Sequence, residues 1–548
     1  MSARRLGGAS LALPSPPSGP GLPLCDSDPL RAITLGPSSV IGGVPFAPTW
    51  HGDSFAGGSL PFHQCESCSD PASPDEFVDV AVVGGGLSGL ASAWLLRDRK
   101  PVLFDLRPRF GGNAMGESWE GIPHSMGSAY FIVPDRGSRL ESMYQSLGFL
   151  RDARIDQGPF TFEWRGQISQ DPCLQGCDPE QAAAVEAYRS LVQHFAFEAY
   201  PDIPLPEQDG WIRDLDRISL KAFLDAKVGP NLPLSYAAAI QAYCFSSFGV
   251  GWDELSAAAG WNFIAAEEFG RIVLPGGNVG LARAMWSQLR DLEQLGPCAG
   301  GNLLRAGCTV ERIRLLASGG VEVRWREPGG KQRTMHAKHV ILANAKHIGA
   351  FLIEELATLD EAKADAIQQI ATVPYLVANV LLDRPLPTDI YDLFLLHDRR
   401  FPMSGSAFEQ DRRIVDAVDG SFGLRPPSRR RDVLTLYWPL PWHTARFTIV
   451  GTDDWLTYAE IGASQVRRAV ETLGLSVDDI AQVRLVRWGH AMPFAQPGQI
   501  ADGIAETVRR PIAERIWFVN QDNWMLPAVE TCLEEAFTYT DAIRARLG

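Results

Sequence analysis

One stretch, VDVAVVGGGLSGLASAWLLRDRKPVLFDLRPRFGGNA from Val78 to Ala114, limits what this chain can fold into more than any other. A short β-branched run, Val80 to Val83, stops at three glycines. From Leu87 to Arg97 the spacing turns helical, with Leu87, Leu90, Ala91, Trp94 and Leu95 on one side, and Pro101 to Phe104 reads as a second buried strand. Strand, tight turn, helix and strand in that order predict an α/β fold.

The glycines give the unit a ligand. Gly84, Gly86 and Gly89 satisfy G-x-G-x-x-G. The first permits the turn, the second lets a pyrophosphate approach the backbone, and the third allows the helix to pack closely on the strand. Leu87 and Ser88 open the helix, so their N–H groups and the positive dipole end face the phosphates. Asp105, closing the second strand, is placed to accept hydrogen bonds from both ribose hydroxyls, which argues against a 2′-phosphate. The uncharged run Val80 to Leu96 is short for a membrane span of about 20 residues, and its glycines would weaken a helix. No integral membrane span is expected.

DLRPRFGGNA, Asp105 to Ala114, resembles the segment after the second strand in the superfamily of FAD-dependent amine oxidases, phytoene desaturases and protoporphyrinogen oxidases. Asp105, Arg107, Gly111 and Gly112 match, while Asn113 stands where the family usually has arginine. SMGSAY, Ser125 to Tyr130, is similar to the family's turn close to the flavin, which places Gly127 and Ser128 at the cofactor. LPGGNVGLARAMWSQL, Leu274 to Leu289, looks like the turn and helix that re-enter the FAD domain. CTVERIRLLASGGVEVRW, Cys308 to Trp325, is similar to the strand pair whose first valine, here Val310, meets the adenine side. RIWFVNQDNWMLPAVETCLEEAF, Arg515 to Phe537, resembles the closing strand, acidic turn and helix. Asp522 then stands near the ribityl-phosphate and Val529 starts a helix aimed at the flavin's pyrimidine edge. Asn520 and Gln521 replace the usual Ala-Gly.

The resemblance implies FAD rather than NAD, in a GR2-type flavoprotein: a Rossmann-like FAD-binding domain interleaved with a mixed α+β substrate domain. The expected FAD domain comprises 77–150, 269–345 and 484–548, and the substrate domain 151–268 and 346–483. Within the latter, Pro179 to Glu268 is helical in pattern. VPYLVANVLLD and RDVLTLYWPL read as strands and ASQVRRAVETLGL as a helix. The 548 residues, 45% hydrophobic, suffice for two joined domains. A net charge of −15 opposes nucleic-acid binding.

Residues 1–76 are rich in Pro, Gly and Ser, lack sustained periodicity, and read as an extended or partly ordered arm. ARRLGGASLAL, Ala3 to Leu13, resembles a twin-arginine export signal, though no Ala-x-Ala site follows. Export and a cytoplasmic location both stay open. Of nine cysteines, Cys65 with Cys68 and Cys173 with Cys177 could each close a disulfide loop, together hold zinc, or stay unlinked. No metal is expected.

The chemistry is less sharply written. Many amine oxidases of the superfamily carry a lysine on the strand represented by Val373 to Pro387; this chain has none there, which favours a dehydrogenase. The electron acceptor stays open among oxygen, a quinone and a cytochrome. RWGHAMPFAQPG, Arg487 to Gly498, resembles the loop entering the active site. Trp488 would wall the pocket and His490 would accept a proton or orient a small-molecule substrate, against the plainer reading of a packed structural histidine. Three functions remain. The first is hydride removal from the carbon beside an amine nitrogen, similar to bacterial spermidine dehydrogenases, with Asp253, Glu267 or Glu268 as anchors for a distal ammonium. The second is desaturation or isomerisation of a polyene or tetrapyrrole, and the third is flavin binding without turnover.

Overall fold

A computed structural model describes residues 27–54, 73–158, 160–174, 176–197, 210–293, 303–397, 400–409, 411–424, 430–445, 449 and 454–548. The strand Glu76–Val83 lies at the centre of a seven-stranded sheet. It pairs in parallel with Val102–Asp105 on one side and Gln332–Leu342 on the other. Leu304–Ala306 and Ile516–Phe518 extend the parallel core outwards. An antiparallel pair, Thr309–Leu315 and Val321–Arg326, is attached through the first half of Gln332–Leu342.

Both faces of this sheet are covered, as a parallel sheet requires. The helices Leu87–Leu95, Val279–Glu293 and Val529–Leu547 bury one face around Leu90, Leu281 and Leu533, each fully buried. The antiparallel pair covers the other with Lys346–Leu352 and Glu361–Gln368. The second insertion was expected to begin directly after Ala345. Instead, Leu352 and Ile367 complete the Rossmann side, and the chain leaves it only at Thr372.

The second layer is a ten-stranded sheet containing Asp392–Leu395, Asp416–Asp419, Asp432–Pro439, Thr372–Leu382 and Ile480–Pro493 as neighbours. The helix Asp454–Thr472 packs on one face, against Leu376, Leu436 and Leu485. The helices Pro179–Phe197, Leu234–Phe248 and Ala257–Glu267 form a separate apolar body around Trp261.

Ile480–Pro493 corrects two expectations. Its first residues were assigned to the substrate domain and the rest to the FAD domain, and Arg487 onwards was read as a loop. It is one continuous strand of the ten-stranded sheet, Pro493 included. The arm also has more structure than its composition suggested. Leu30–Ile33 pairs with Gly116–Trp119, Val44–Phe46 and His51–Gly52 pair with Ile480–Pro493, and Ser39–Ile41 pairs with Val44–Phe46. The export-like stretch and Cys65 with Cys68 lie outside the described residues. Cys173 and Cys177 are joined by a disulfide, which selects loop closure for that pair. Among the described residues, no helix is long and apolar enough to cross a membrane, and no group of three or more His, Cys, Asp or Glu side chains could hold a metal.

Candidate active site

The parallel strands end at a common place. Past Val83, Asp105, Ala306, Leu342 and Phe518 the chain enters one continuous cavity of about 1080 Å³ through Gly84, Leu106, Cys308, Ala343 and Asn520. Ligands of open α/β sheets bind outside these carboxyl ends.

Each glycine of the turn has its own reason. Gly84 has φ of +108°, and a side chain there would press on Ala343 O at 2.7 Å. A Cβ at Gly89 would stand 1.8 Å from Gly84 O, so this glycine sets helix-to-turn packing and does not line the cavity. Gly86 differs. A Cβ there would meet nothing nearer than Gly112 Cα at 3.8 Å, so the protein alone leaves that space open on the cavity wall. Leu87 and Ser88 line the cavity beside it, at a helix start without a side-chain cap.

Asp105 accepts from Gly85 N and Arg107 N, both at 2.7 Å, which locks the turn to the following loop. Burial pushes its pKa up against the pull of Arg107 and these N–H groups. Arg107 pairs with Asp53 and lies 5.6 Å from the Trp488 ring centroid. Gly111 donates to Gly85 O at 2.8 Å, so the second glycine pair, Gly111 and Gly112, supports the first turn. Gly127 N donates to Ser125 Oγ at 3.0 Å, and a Cβ on Gly127 would strike Asn113 O at 2.2 Å. Asn113, the departure from the family pattern, donates to Ala491 O and joins the two layers. Gly127, Ser128, Val310, Asp522 and Val529 all reach the cavity wall. Asp522 accepts from Lys346 N at 2.8 Å, and Lys346 Nζ is held by Asn520. Burial lowers the Lys346 pKa to about 8 despite Asp522.

The opposite wall follows from the period of two. In register across the sheet, Phe394 faces Asp416, Asp416 faces Tyr437, Tyr437 faces Val377 and Val377 faces Val486. Residues two positions away along a strand share a face. Tyr375, Asp392, Val418, Trp488 and His490 therefore join this row in the cavity, while the intervening leucines turn to the helix Asp454–Thr472. Trp488 is 2% exposed and donates to Met126 O at 2.8 Å, which makes it a fixed wall. His490 Nδ1 lies 2.9 Å from Thr372 Oγ1, and its ring centroid is 3.7 Å from that of His347.

The carboxylates expected to face the substrate do not. Asp253 accepts from Gly405 N, Glu267 is held by Tyr130 and Tyr243, and Glu268 points to solvent; none lines the cavity. Asp392 and Asp416 do line it, and they were missed. Their sequence signal is an aspartate inside the short apolar strands DLFL and DAVD. Asp392 is paired with Arg271, and Asp416 accepts from Ser246 Oγ at 2.7 Å. Burial, and then the Asp392 charge, raise the Asp416 pKa well above the usual carboxylate range.

A family profile described as an NAD(P)-binding Rossmann-like domain matches residues 82–147. A double mutant of putrescine oxidase with a redesigned cofactor site superposes with a TM-score of 0.64 at 16% identity, covering 86% of this chain and 100% of that one. Cyclohexylamine oxidase from Brevibacterium oxydans IH-35A gives 0.59 at 16%, covering 86% and 99%. The chain has the fold of the FAD-dependent amine oxidases. Oxidoreductase PigB of Serratia sp. (strain ATCC 39006) is 22% identical over 563 aligned positions, covering 89% of this chain and 78% of that protein. In the amine oxidase fold found here, the ten-stranded sheet forms the wall opposite the glycine turn, and the position of the expected lysine strand carries Tyr375 and Val377 at the cavity.

Proposed function

We propose that this chain is an FAD-dependent oxidoreductase that removes a hydride from the carbon next to an amine nitrogen. The observation that carries this reading is the single cavity, which runs from the strand ends and the Gly84–Ser88 turn to a chamber walled by Tyr375, Tyr437 and Trp488. The oxidoreductase relative and the two amine oxidases of the same fold support it.

The residues suit FAD. The space kept open at Gly86, against helix N–H groups at Leu87 and Ser88, suits a pyrophosphate. We assign the ribose to Asp105, whose oxygens keep acceptor capacity beyond their two N–H bonds. Arg107 braces this loop through Asp53. Gly111, Gly112 and Val310 complete the nucleotide end, and Gly127, Ser128, Asp522 and Val529 the flavin end. Bound FAD supplies the hydride acceptor.

The chain's own part is to orient the amine and to exclude water. Trp488, pinned by Met126 O, and the Tyr375 and Tyr437 rings confine the substrate carbon. The reacting nitrogen must be neutral for the adjacent C–H bond to release its hydride. We assign His490, steadied through Nδ1 by Thr372, to take that nitrogen's proton. The product is an imine, which water hydrolyses to a carbonyl compound and an amine. The lysine-free strand supports a dehydrogenase that passes electrons to an acceptor other than oxygen.

The test is an anaerobic titration of the yellow holoprotein with diamines, monoamines, amino acids and polyenes, followed by visible absorbance. Bleaching by an amine is expected. Bleaching by polyenes or tetrapyrroles alone overturns the amine reading, and bleaching by nothing in the series overturns the oxidoreductase reading.

A further inference from the structure

Beneath the aromatic walls of the cavity lies a cluster with more acid than base. Arg271 lies within ion-pair distance of Asp156, Glu267 and Asp392, and Asp416 stands beside Asp392. Among the described residues, three carboxyls share the one guanidinium, and Asp416 brings a fourth acid beside them. Phenols close the cluster without adding positive charge. Tyr130 donates to Glu267 and stacks over Arg271, Tyr391 stacks over the same guanidinium, and the Tyr375 hydroxyl is taken by Ser246 O.

Asp392 and Asp416 are 8% and 4% exposed, and both line the cavity. Asp392 uses Oδ2 for Arg271 and Asp416 uses Oδ2 for Ser246, which leaves Oδ1 of each without an N–H or O–H donor from the protein. Two buried carboxylates with such free oxygens repel each other, and each unmet acceptor is costly. Burial, and then the neighbouring Asp392 charge, favour the neutral, protonated form of Asp416. A proton is the smallest cation that satisfies the pair. An ammonium group brings both a charge and several donors, and satisfies it better.

We propose that Asp392 and Asp416, through their two unmet Oδ1 atoms at the cavity wall, receive a second cationic nitrogen of the substrate, remote from the reacting one, and that this ammonium takes the place of the proton on Asp416. The substrate class is therefore a diamine or longer polyamine rather than a monoamine. This rests on the amine-oxidising reading of the cavity and adds to it the group that selects among amines. The exchange is balanced: one ammonium enters the carboxyl pair and one proton leaves to solvent.

The test separates binding from chemistry. The probes are α,α,α′,α′-tetramethylputrescine, which has no hydrogen on either nitrogen-bearing carbon and cannot lose a hydride, and the monoamine tert-amylamine. Both are titrated into the holoprotein by calorimetry near neutral pH, in two buffers of different ionisation enthalpy. The diamine is expected to bind about 30-fold or more tighter than the monoamine, the usual minimum for a buried charge pair. It should also release about one more proton per site. Asp416→Asn should abolish both the preference and the extra proton. Equal affinities, or tighter diamine binding without an extra proton, overturn the proposal, and this wild-type comparison stands even where the variant does not fold. If the probes behave as expected while no oxidisable amine bleaches the cofactor, the carboxyl pair is confirmed and the proposed reaction falls. If amines bleach it while the two probes bind alike, the reaction stands and the carboxyl pair falls.

Discussion

Gly86→Ala separates folding from cofactor binding at a single atom. The added Cβ meets no protein atom closer than 3.8 Å, and the backbone, at φ −73° and ψ −169°, suits any residue. Removing glycine's freedom in the unfolded chain stabilises by about 0.4–1 kcal/mol. Replacing glycine by alanine at a helix N-cap costs roughly 0.5–1 kcal/mol. The two terms offset, so the cofactor-free variant should unfold within about 1 kcal/mol of the wild type. The same methyl stands where the pyrophosphate is assigned, so FAD affinity should drop by about 10-fold or more, a loss of about 1.4 kcal/mol. Gly86→Leu should bind none. Gly89→Ala is the control, because its Cβ overlaps Gly84 O and forces helix and turn apart. That overpacking should cost about 1–3 kcal/mol of stability with or without cofactor. Denaturant unfolding of the deflavinated proteins gives the first quantity, and quenching of FAD fluorescence gives the second. A Gly86→Ala protein that binds FAD as tightly as the wild type would refute the placement of the pyrophosphate.

The remaining predictions concern other parts of the site and its support. Asp522→Asn can still accept from Lys346 N and should keep the fold while losing FAD affinity by about 10-fold or more, as expected for a lost charged hydrogen bond; unchanged affinity in the same titration removes Asp522 from the cofactor. Burial works against ionisation of Glu117, but hydrogen bonds and charge from Arg484 outweigh it and hold its pKa at about 2. Because that value is depressed in the folded protein, the stabilisation is full above the unfolded carboxylate range and disappears as pH falls towards about 2. Glu117→Gln should therefore cost about 3 kcal/mol at neutral pH, with the gap closing in acid unfolding titrations; a gap that persists in acid assigns the loss to packing. His490→Ala should slow flavin reduction by roughly 10²-fold while changing substrate affinity less, and the wild-type rate should rise with pH as bound amine loses its proton. Stopped-flow reduction across pH measures both, and an unchanged rate makes His490 structural.

What the sequence disclosed was local. Gly84 and Gly111 are required by their positive φ and Gly89 by the close approach of Gly84 O, constraints written into a short span of backbone, so their spacing carries the information. The carboxyl pair was hidden because no local rule joins Asp392 to Asp416. The two meet only through the register of Asp392–Leu395 on Asp416–Asp419, which places them on one face. The strand Ile480–Pro493 was read as a loop from Arg487 because Arg487, Gly489, His490 and Pro493 break the apolar pattern of a central strand. Their polar groups are met from far away: Asp53 O receives Arg487 Nε, and Asp53 Oδ2 receives Gly489 N. The arm's strands are three or four residues long or shorter, too brief for periodicity to register, and exist because longer strands offer them an edge.

Asp53 also sets the order in which the molecule can be finished. Its two carboxylate oxygens bind Arg107 and Gly489 N, a residue 436 positions downstream. Pairings so distant in sequence form slowly, since a long loop must close before they contribute. During synthesis this aspartate and its arginine emerge together, yet the strand that completes their contact follows only after several hundred further residues. The strand Ile516–Phe518 and the helix Val529–Leu547, which cover the glycine unit, arrive later still. The glycine turn therefore waits for the strand Ile516–Phe518 and the helix Val529–Leu547, several hundred residues downstream of it, before its cavity is enclosed.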